Sequence, residues 1–562
     1  MFRTFSRLFL PNRFDWLLKK TAERGGKKVL LGWNRGLGDI PLGLFAMVHR
    51  IRERIPNADI TFMTRENLKE GFSLLDGVKV ITDPAWQRGQ EMFIPASLQK
   101  SYDLVIEKPN PTDWVYWQRG KITPRLKWNP ENESLFEKFS LPKEGPMIGV
   151  QVAAETNYGL WRNWPLSHWQ ELIRQLEQMD VTVLLFGFDQ KEQLKGSNVI
   201  DLRGKTSLFE LLSIIKNRVY GLVLPDSGIS STVYYLDERF PLRHVTLWAH
   251  PNHGILKQNV PSPNPLLEHI PLIGQHKDLS SVKVEKVIEA LFPIEKAAAI
   301  LLAGGDGTRL GFDGPKGLFE VAGKTLFQWK CEKIPKHLPL AVMTSPVNHD
   351  AIVRYFEKNN YFGLNVHFFP QEMQRYLDEN QRPIELKGPN GNGSVFASFV
   401  KAGLDRLFIR MGMESLVVSN IENPLGHPLD PALVYLAKHH DAAVLCIEKE
   451  KHDHPMGMVV QEGGRAKVVE YIHLDANKEY RLAYSGQMSF SLSFFCKMAK
   501  KDLPIHWIQK KMGGRLLYKG EKFLFDALDE AKSVKVFCRE KKTCYAPIKT
   551  IENISSVETI LR

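Results

Sequence analysis

Residues 301–310 read Leu301-Leu302-Ala303-Gly304-Gly305-Asp306-Gly307-Thr308-Arg309-Leu310, and Pro315-Lys316 follow five residues on. The apolar run that ends at Leu302 is short and predicts a buried strand. Glycines straight after such a strand let the backbone come close to a triphosphate, and their N–H groups can cradle it. Arg309 and Lys316 set two fixed cations beside the phosphates. Transfer at phosphorus needs this arrangement, because its catalysis is mostly positioning and charge neutralisation. No GxGxxG is present and no GK[ST] closes the loop, so neither a Rossmann nor a Walker reading fits. Glycines also make ordinary turns, but the string and its cations together point to a nucleotide.

Downstream, short apolar strands alternate with helical patterns, as an α/β fold requires. LAVMTS, NVHFFP, SLVVSN and AAVLCIE read as strands, and GMVVQEGG with AKVVEYIHL reads as a hairpin. The loop at 301–317 resembles that of the UDP-N-acetylglucosamine pyrophosphorylase type of uridylyltransferase, LxxGGxGTRLGxxxPKG. The resemblance runs through nearly all of residues 296–562. Met343-Thr344-Ser345, Asn359 to Leu364 and Phe368-Phe369-Pro370-Gln371 match that family's motifs in order. Pro389-Asn390-Gly391-Asn392-Gly393 matches its uracil-facing PDGNG. Val469-Glu470-Tyr471 matches its sugar-contacting VEY. Lys519 to Asp526 matches KxEKFxFD, which carries Phe523, and Ala546-Pro547-Ile548-Lys549 matches a late PLK whose lysine serves the phosphates.

The resemblance implies a single-sheet, GT-A-like nucleotidyltransferase fold over 293–562, with UTP and a sugar 1-phosphate as substrates. It implies that Gly304, Gly305, Gly307, Thr308, Gln371, Gly391, Asn392, Glu470, Tyr471, Lys519, Phe523 and Lys549 bind substrate, with Arg309 and Lys316 neutralising the leaving pyrophosphate. Two positions depart from the family. Its metal-holding aspartate is Glu422 here, in Ile421-Glu422-Asn423-Pro424-Leu425; glutamate can still hold Mg²⁺, which takes one or two carboxylates with phosphates and water. Its NxGN sugar motif reads Ser485-Gly486-Gln487, so N-acetylglucosamine 1-phosphate is not assumed as the sugar.

Upstream lie two further α/β blocks, 27–145 and 146–292. The first opens with KKVLLGW, then Gly36-Leu37-Gly38-Asp39-Ile40. The second runs from MIGVQVAA through SHWQELIRQLEQM, VTVLLFG and YGLVLP to HVTLWA. Its later part, NHGILKQNVPSPNPLLEHIPLIGQ, is rich in Pro and Asn and reads as irregular, before a closing helix in SSVKVEKVIEALFP. Residues 27–275 resemble, more loosely, the ADP-heptose:lipopolysaccharide heptosyltransferases. The carriers are the LGD of 37–39, Arg162-Asn163-Trp164-Pro165 against K/R-x-WP, and Asp226-Ser227-Gly228-Ile229-Ser230-Ser231 against DSGxxH. This implies two Rossmann-like lobes of GT-B form with a nucleotide-sugar donor between them. Arg162, Asp226, Ser227 and Gly228 would meet the donor diphosphate, and Asp39 would be the base for the acceptor hydroxyl. A helix N-cap is the plain alternative for Asp39. No metal is expected in this half. The family's final histidine is Ser231 here, which leaves an active transferase and a binding-only module both open.

The chain has 562 residues, 43% apolar and 25% charged, with net charge +12. Phosphate-bearing small molecules account for the charge; neither zinc-finger spacing nor an RNP-like motif is present, so nucleic acid is not an expected partner. The five cysteines form no CxxC pair, as suits a reducing cytoplasm. No apolar run is long enough to span a bilayer. Residues 1–26 form a basic, aromatic leader, either a helix packed on the first block, the favoured reading, or a segment lying on the inner face of an anionic membrane. Together these features predict a bifunctional enzyme of cell-envelope carbohydrate assembly. One half would make a UDP-sugar, and the other would transfer a sugar to a lipid-linked or lipopolysaccharide-like acceptor. A non-catalytic scaffold is the rival from another class.

Overall fold

The structure is a computed structural model that describes residues 12–154, 162–188, 193–450, 455–462, 465–475, 478–512 and 514–562. The chain divides into two compact units, Met1–Leu291 and Phe292–Arg562.

Unit 1 contains two parallel sheets. The first has the order β3-β2-β1-β4, from β1 (Lys28–Gly32), β2 (Asp59–Thr64), β3 (Val78–Thr82) and β4 (Leu104–Ile106). The second has the order β10-β9-β8-β5-β6-β7. It is built from β5 (Met147–Gln151), β6 (Thr182–Phe186), β7 (Val199–Asp201), β8 (Gly221–Pro225), β9 (Leu242–Trp248) and β10 (Leu267–Ile273). All pairings in both sheets are parallel. Strands buried on both faces read as continuous apolar runs, as VLL and GLVL do. In such sheets ligands bind beyond the carboxyl ends of strands where the order reverses. In the first sheet that strand is β1, which leads into 34–39; in the second it is β5, which leads toward Arg162. One apolar core runs through both sheets, from Phe14 and Leu31 to Phe186, Leu224 and Trp248.

The segment expected to be irregular contains a regular strand. β10 pairs with β9 over its full length, Leu267↔Leu242 to Ile273↔Trp248. Its Pro271 is tolerated because β10 is an edge strand, where a missing N–H breaks no ladder. The leader is a helix over Arg13–Glu23, capped by the Asn12 side chain on the Phe14 N–H. Phe14 and Leu18 are fully buried, and Phe14 stacks on Trp114 at 5.6 Å. Residues 1–11, on which the membrane-lying reading leaned, are outside the described residues.

Unit 2 is built on a mixed sheet with the main path β15-β14-β11-β18-β22-β19-β25. Its parallel half is β15 (Asn365–Pro370), β14 (Pro339–Thr344), β11 (Ala297–Leu302) and β18 (Ser415–Asn420). β22 (Leu482–Ser491) lies antiparallel between β18 and β19 (Ala442–Glu448), and β25 (Val534–Cys538) closes the far edge. β20 (Met458–Glu462) and β21 (Arg465–Val469) form the antiparallel hairpin read from the sequence. A separate four-stranded sheet joins β17 (Pro383–Pro389), β16 (Met373–Leu377), β24 (Arg515–Glu521) and β23 (His506–Met512). β11 lies fully buried at the centre of the parallel half, so the glycine loop after it emerges where chain order reverses, between β14 and β18.

Candidate functional site

In unit 2 the glycine loop closes on itself. The Gly307 N–H donates to the Gly314 carbonyl at 2.8 Å and the Lys316 N–H to the Gly305 carbonyl at 3.1 Å. Gly305, Thr308 and Arg309 are exposed at the rim, whereas Gly307 is buried. Among the described residues no hydrogen bond or ion pair engages the Arg309 side chain, so its charge faces outward. Gly304 has no room for a side chain: a Cβ there would lie 2.1 Å from Nε2 of Gln371, which sits at the end of β15.

The loop meets the end of β18, the strand paired with β11 through Leu302↔Asn420. Lys316 Nζ donates to Glu422 Oε2 at 2.7 Å, with the two side chains 16% and 24% exposed. The Glu422 carbonyl accepts from the Ile548 N–H at 2.8 Å, which brings the Lys549 segment alongside. Asn423 holds both the Cys544 carbonyl and the Ala546 N–H, so its side chain is committed to the fold. Among the described residues no three His, Cys, Asp or Glu converge as a metal cluster. Mg²⁺ asks for fewer, since nucleotide phosphates supply the remaining oxygens. Glu422, the carboxylate beside the phosphate loop, therefore fits a site that the nucleotide completes.

A second group of contacts joins the uracil-facing motif to 519–526. Gly391 has φ +89°, and a Cβ there would come within 2.3 Å of the Lys522 carbonyl. Asn392 Oδ1 accepts from the Leu524 N–H at 2.8 Å, and the Lys522 N–H donates to the Asn390 carbonyl at 2.7 Å. Asn390 is buried, and among the described residues its Oδ1 has no hydrogen-bond partner. Phe523 stacks on Phe525 and faces the His506 ring at 4.8 Å. His506 also meets Asp526 at 3.0 Å.

Burial pushes the Glu470 carboxyl up, against the opposing pull of the Tyr471 N–H, Lys549, His473 and His506. Tyr471 is 51% exposed. Lys519 is held by Glu521 at 2.6 Å, so its charge is partly met within the fold. The side chains of Ser485 and Gln487 face backbone: Ser485 Oγ donates to the Leu445 carbonyl at 2.7 Å and Gln487 Nε2 to the His427 carbonyl at 2.6 Å.

In unit 1 the loop 36–39 touches the start of the helix Gly228–Tyr234. A Cβ on Gly228 would lie 2.9 Å from both the Gly38 nitrogen and Leu37 Cβ, so the two glycines permit the contact. Asp39 Oδ2 accepts from the Gly36 N–H at 3.0 Å. Asp39 precedes a π-turn, Ile40–Leu44, but its carboxylate makes no capping bond into that turn. Burial raises its carboxyl pKa, opposed by the Gly36 N–H, Arg35 and Arg88. Ser227 Oγ caps the helix by accepting from the Ser230 N–H and also donates to Gln151 Oε1 at 2.8 Å. Arg162 is ion-paired with Asp226. Burial raises the Asp226 carboxyl even so. His250 and His253 line the same recess, and of the two the sequence did not point to His253.

Two families are matched along the chain. Residues 262–490 match the family model for UTP–glucose-1-phosphate uridylyltransferase, and residues 119–231 match glycosyltransferase family 9 (heptosyltransferase). The first match ends before Lys519 and Lys549; the second begins after Asp39. An Encephalitozoon cuniculi protein described as "Probable UDP-N-acetylglucosamine pyrophosphorylase" is 30% identical over 304 residues, covering 50% of this chain and 88% of that protein. UDP-N-acetylglucosamine diphosphorylase 1 of Arabidopsis thaliana is 29% identical, covering 47% of this chain and 62% of that protein. The crystal structure of the Trypanosoma brucei uridine diphosphate N-acetylglucosamine pyrophosphorylase is 28% identical with a TM-score of 0.44, covering 49% of this chain and 67% of that one. Unit 2 is thus a nucleotidyltransferase domain of the uridylyltransferase class, preceded by a family 9 glycosyltransferase domain. Through this C-terminal half the chain belongs to the UDP-N-acetylglucosamine pyrophosphorylase family.

Proposed function

We propose that unit 2, a GT-A-like domain, condenses UTP with a sugar 1-phosphate to give a UDP-sugar and pyrophosphate. The observation that carries this reading is the 2.7 Å pair of Lys316 and Glu422, which joins the glycine loop to the end of the neighbouring strand. An oxygen of the sugar 1-phosphate attacks the α-phosphorus of UTP in line, and the bond to the β-phosphate oxygen breaks. The N–H groups of Gly304 and Gly305, with Thr308, hold the β- and γ-phosphates, while the Gly307 N–H closes the loop on Gly314 and shapes the cradle from behind. Arg309 and Lys316 neutralise the pyrophosphate as its charge grows. Lys519 and Lys549 hold the α-phosphate and the incoming phosphate. Gln371, Gly391, Asn392 and Phe523 seat the nucleoside, and Glu470 with Tyr471 meets the sugar. Glu422 would hold Mg²⁺, which supplies further charge neutralisation at the phosphates. No covalent intermediate is required.

The test is pyrophosphate release from UTP and Mg²⁺ with a panel of sugar 1-phosphates, using Lys316→Ala as control. Release with one sugar, lost in the variant, names the substrate. No release with any sugar, at enzyme levels where a relative is active, overturns the reading.

For unit 1 we propose a GT-B-like glycosyltransferase that carries a sugar from a nucleotide donor to a lipid-linked or lipopolysaccharide-like acceptor, without a metal. Asp39 would take the acceptor proton; a carboxyl raised by burial is the better base for it. Arg162, Asp226, Ser227 and Gly228 would meet the donor. A binding-only role is the second reading, favoured by the Arg162–Asp226 pair, which engages the cation meant for the diphosphate. Transfer of labelled sugar to extracted envelope acceptors separates the two. The setting we propose is the cytoplasm; among the described residues no helix is long and apolar enough to cross a membrane. Contact with an anionic membrane would fall on the exposed Trp16, over which Lys20 lies at 3.9 Å.

A further inference from the structure

Behind the Glu422 loop stand two lysines that the sequence reading did not use. Lys330 lies in the helix Leu326–Cys331 and is 1% exposed. Lys333 follows one turn later and is partly buried. Among the described residues neither has a carboxylate within ion-pair distance. Burial drives the Lys330 amine well below its usual range and Lys333 down to about 8. An amine sunk in a fold without a counter-charge is costly, and an apolar side chain of equal length would fill the space more cheaply. Their N–H groups have one use here. Lys330 Nζ donates to the Gly426 carbonyl at 2.9 Å; Lys333 Nζ donates to the Pro424 and Leu425 carbonyls at 2.6 and 2.9 Å.

Among the described residues no helix or strand N–H meets these carbonyls, so buried acceptors there depend on side chains. With the Ile548 N–H on Glu422 and Gln487 on His427, the carbonyls of residues 422, 424, 425, 426 and 427 each hold a donor. Gly426 makes the approach possible, since a Cβ there would lie 3.2 Å from Lys330 Nζ and 2.7 Å from Asn423 Nδ2. The same helix also seats the other partner of the pair. The Phe327 ring fills the space over Gly317, where a Cβ would come within 2.2 Å, and Gly317 follows Lys316 directly. One helix therefore fixes both the residue after Lys316 and the loop after Glu422.

We propose that Lys330 and Lys333 are positioning residues, which clamp residues 424–426 and thereby aim the Glu422 carboxylate at the metal carried by the nucleotide. This rests on the uridylyltransferase reading, in which Glu422 holds that metal. Groups that orient a ligand from behind typically change metal affinity by roughly ten- to a hundredfold when removed.

The test uses the full chain and Mn²⁺, an oxygen-ligated probe for the Mg²⁺ site. Free Mn²⁺ is read by its paramagnetic resonance signal at saturating UTP, and UTP binding without metal is read by calorimetry. In Lys330→Met and Lys333→Met the Mn²⁺ dissociation constant should rise roughly tenfold or more. UTP binding without metal should hold, and Lys330→Gln, a neutral donor, should recover most of the loss. Lys324→Met, on the exposed ion pair with Glu332, is the control. Should Lys330→Met fail to fold, Lys333→Met at the edge of the cluster carries the test. Mn²⁺ affinity within about twofold of the parent in the folded lysine variants overturns the proposal and leaves the catalytic reading standing. A parent that binds Mn²⁺–UTP but releases no pyrophosphate sinks the catalytic reading and leaves the clamp. A parent that binds no Mn²⁺ with UTP overturns both.

Discussion

Each unit places a lysine or arginine against a carboxylate beside the loop that follows a central strand, yet the two pairs differ in their surroundings. In unit 2 Lys316 and Glu422 come from loops at adjacent strand ends, and one flank carries the outward-facing Arg309. In unit 1 Arg162 is closed on Asp226 within a recess lined by Trp248, His250 and His253, and burial raises the acid despite the guanidinium. The first arrangement keeps positive charge available to an incoming anion. The second spends its cation on holding a buried acid. Similar pairings can therefore serve catalysis in one place and structure in another, and removing one partner from each should tell which is which.

The crossed experiment has the largest expected effect. Arg162→Met leaves Asp226 buried without its cation, and the unit 1 unfolding transition should lose about 3–5 kcal/mol, read by calorimetry. Lys316→Ala leaves Glu422 only partly solvated and should cost unit 2 less, about 1–3 kcal/mol in stability, but lower pyrophosphate release about 10²- to 10³-fold. If Lys316→Ala unfolds unit 2 while turnover by the folded fraction stays normal, the contrast is reversed. Next in size is Gly391→Ala. With φ at +89° and the Lys522 carbonyl 2.3 Å from the added carbon, the strain should cost about 1–3 kcal/mol. The unit 2 melting transition measures it, and an unchanged transition would mean that the contact between 391 and 522 is not maintained in solution.

Much of unit 2 was legible because its motifs are local: a strand, a glycine loop, and cations at fixed offsets. The distances between motifs were not legible. Nothing in the string GNG says that Asn392 caps Leu524, or that the Lys519 charge is met by Glu521 two residues along its own strand. Lys330 was missed because a lysine beside Cys331 in an amphipathic pattern reads as a solvated face, and only tertiary packing reveals that it is buried. β10 was missed for the opposite reason. The prolines and asparagines of the stretch before it signal a loop, and only its place at a sheet edge makes its Pro271 acceptable. The Asp39 alternative was half right in kind. Its carboxylate does bond to backbone, but backward to Gly36 rather than into the following turn.

Acid should separate the units further, by a smaller margin. His244 and His269 sit in unit 1 beside Ser230 and Thr246, at 3.2 and 2.8 Å. Burial holds both imidazoles neutral, with His269 down to about 4 and His244 well below its ordinary 6.5. Between pH 6.5 and about 4 the unfolded chain therefore binds protons that the fold does not. The stability these residues allow is fully present above pH 6.5 and is lost as pH falls toward 4. Among the described residues each unit contains two carboxyls raised by burial, Asp39 and Asp226 against Glu470 and Asp526, and unit 2 has its own imidazole lowered by burial, His367; above the carboxylate range the deeper burial of the His244 and His269 pair sets unit 1 apart. Over this range the unit 1 transition should drop on the order of 5 °C further than that of unit 2. His269→Gln should shrink the gap; an equal drop in both units, or a gap indifferent to that change, counts against the assignment.

The smallest effect tests the glycine loop itself. A Cβ on Gly305 meets nothing within 4 Å, so Gly305→Ala should leave the unit 2 transition within about 0.5 kcal/mol of the parent. The added methyl nonetheless stands on the exposed rim where phosphates must come close to backbone N–H groups. UTP binding measured by calorimetry should weaken by about 1 kcal/mol, roughly fivefold. Equal weakening in melting and binding would point to damage to the loop. Full binding with an unchanged transition would mean that the phosphates do not approach Gly305.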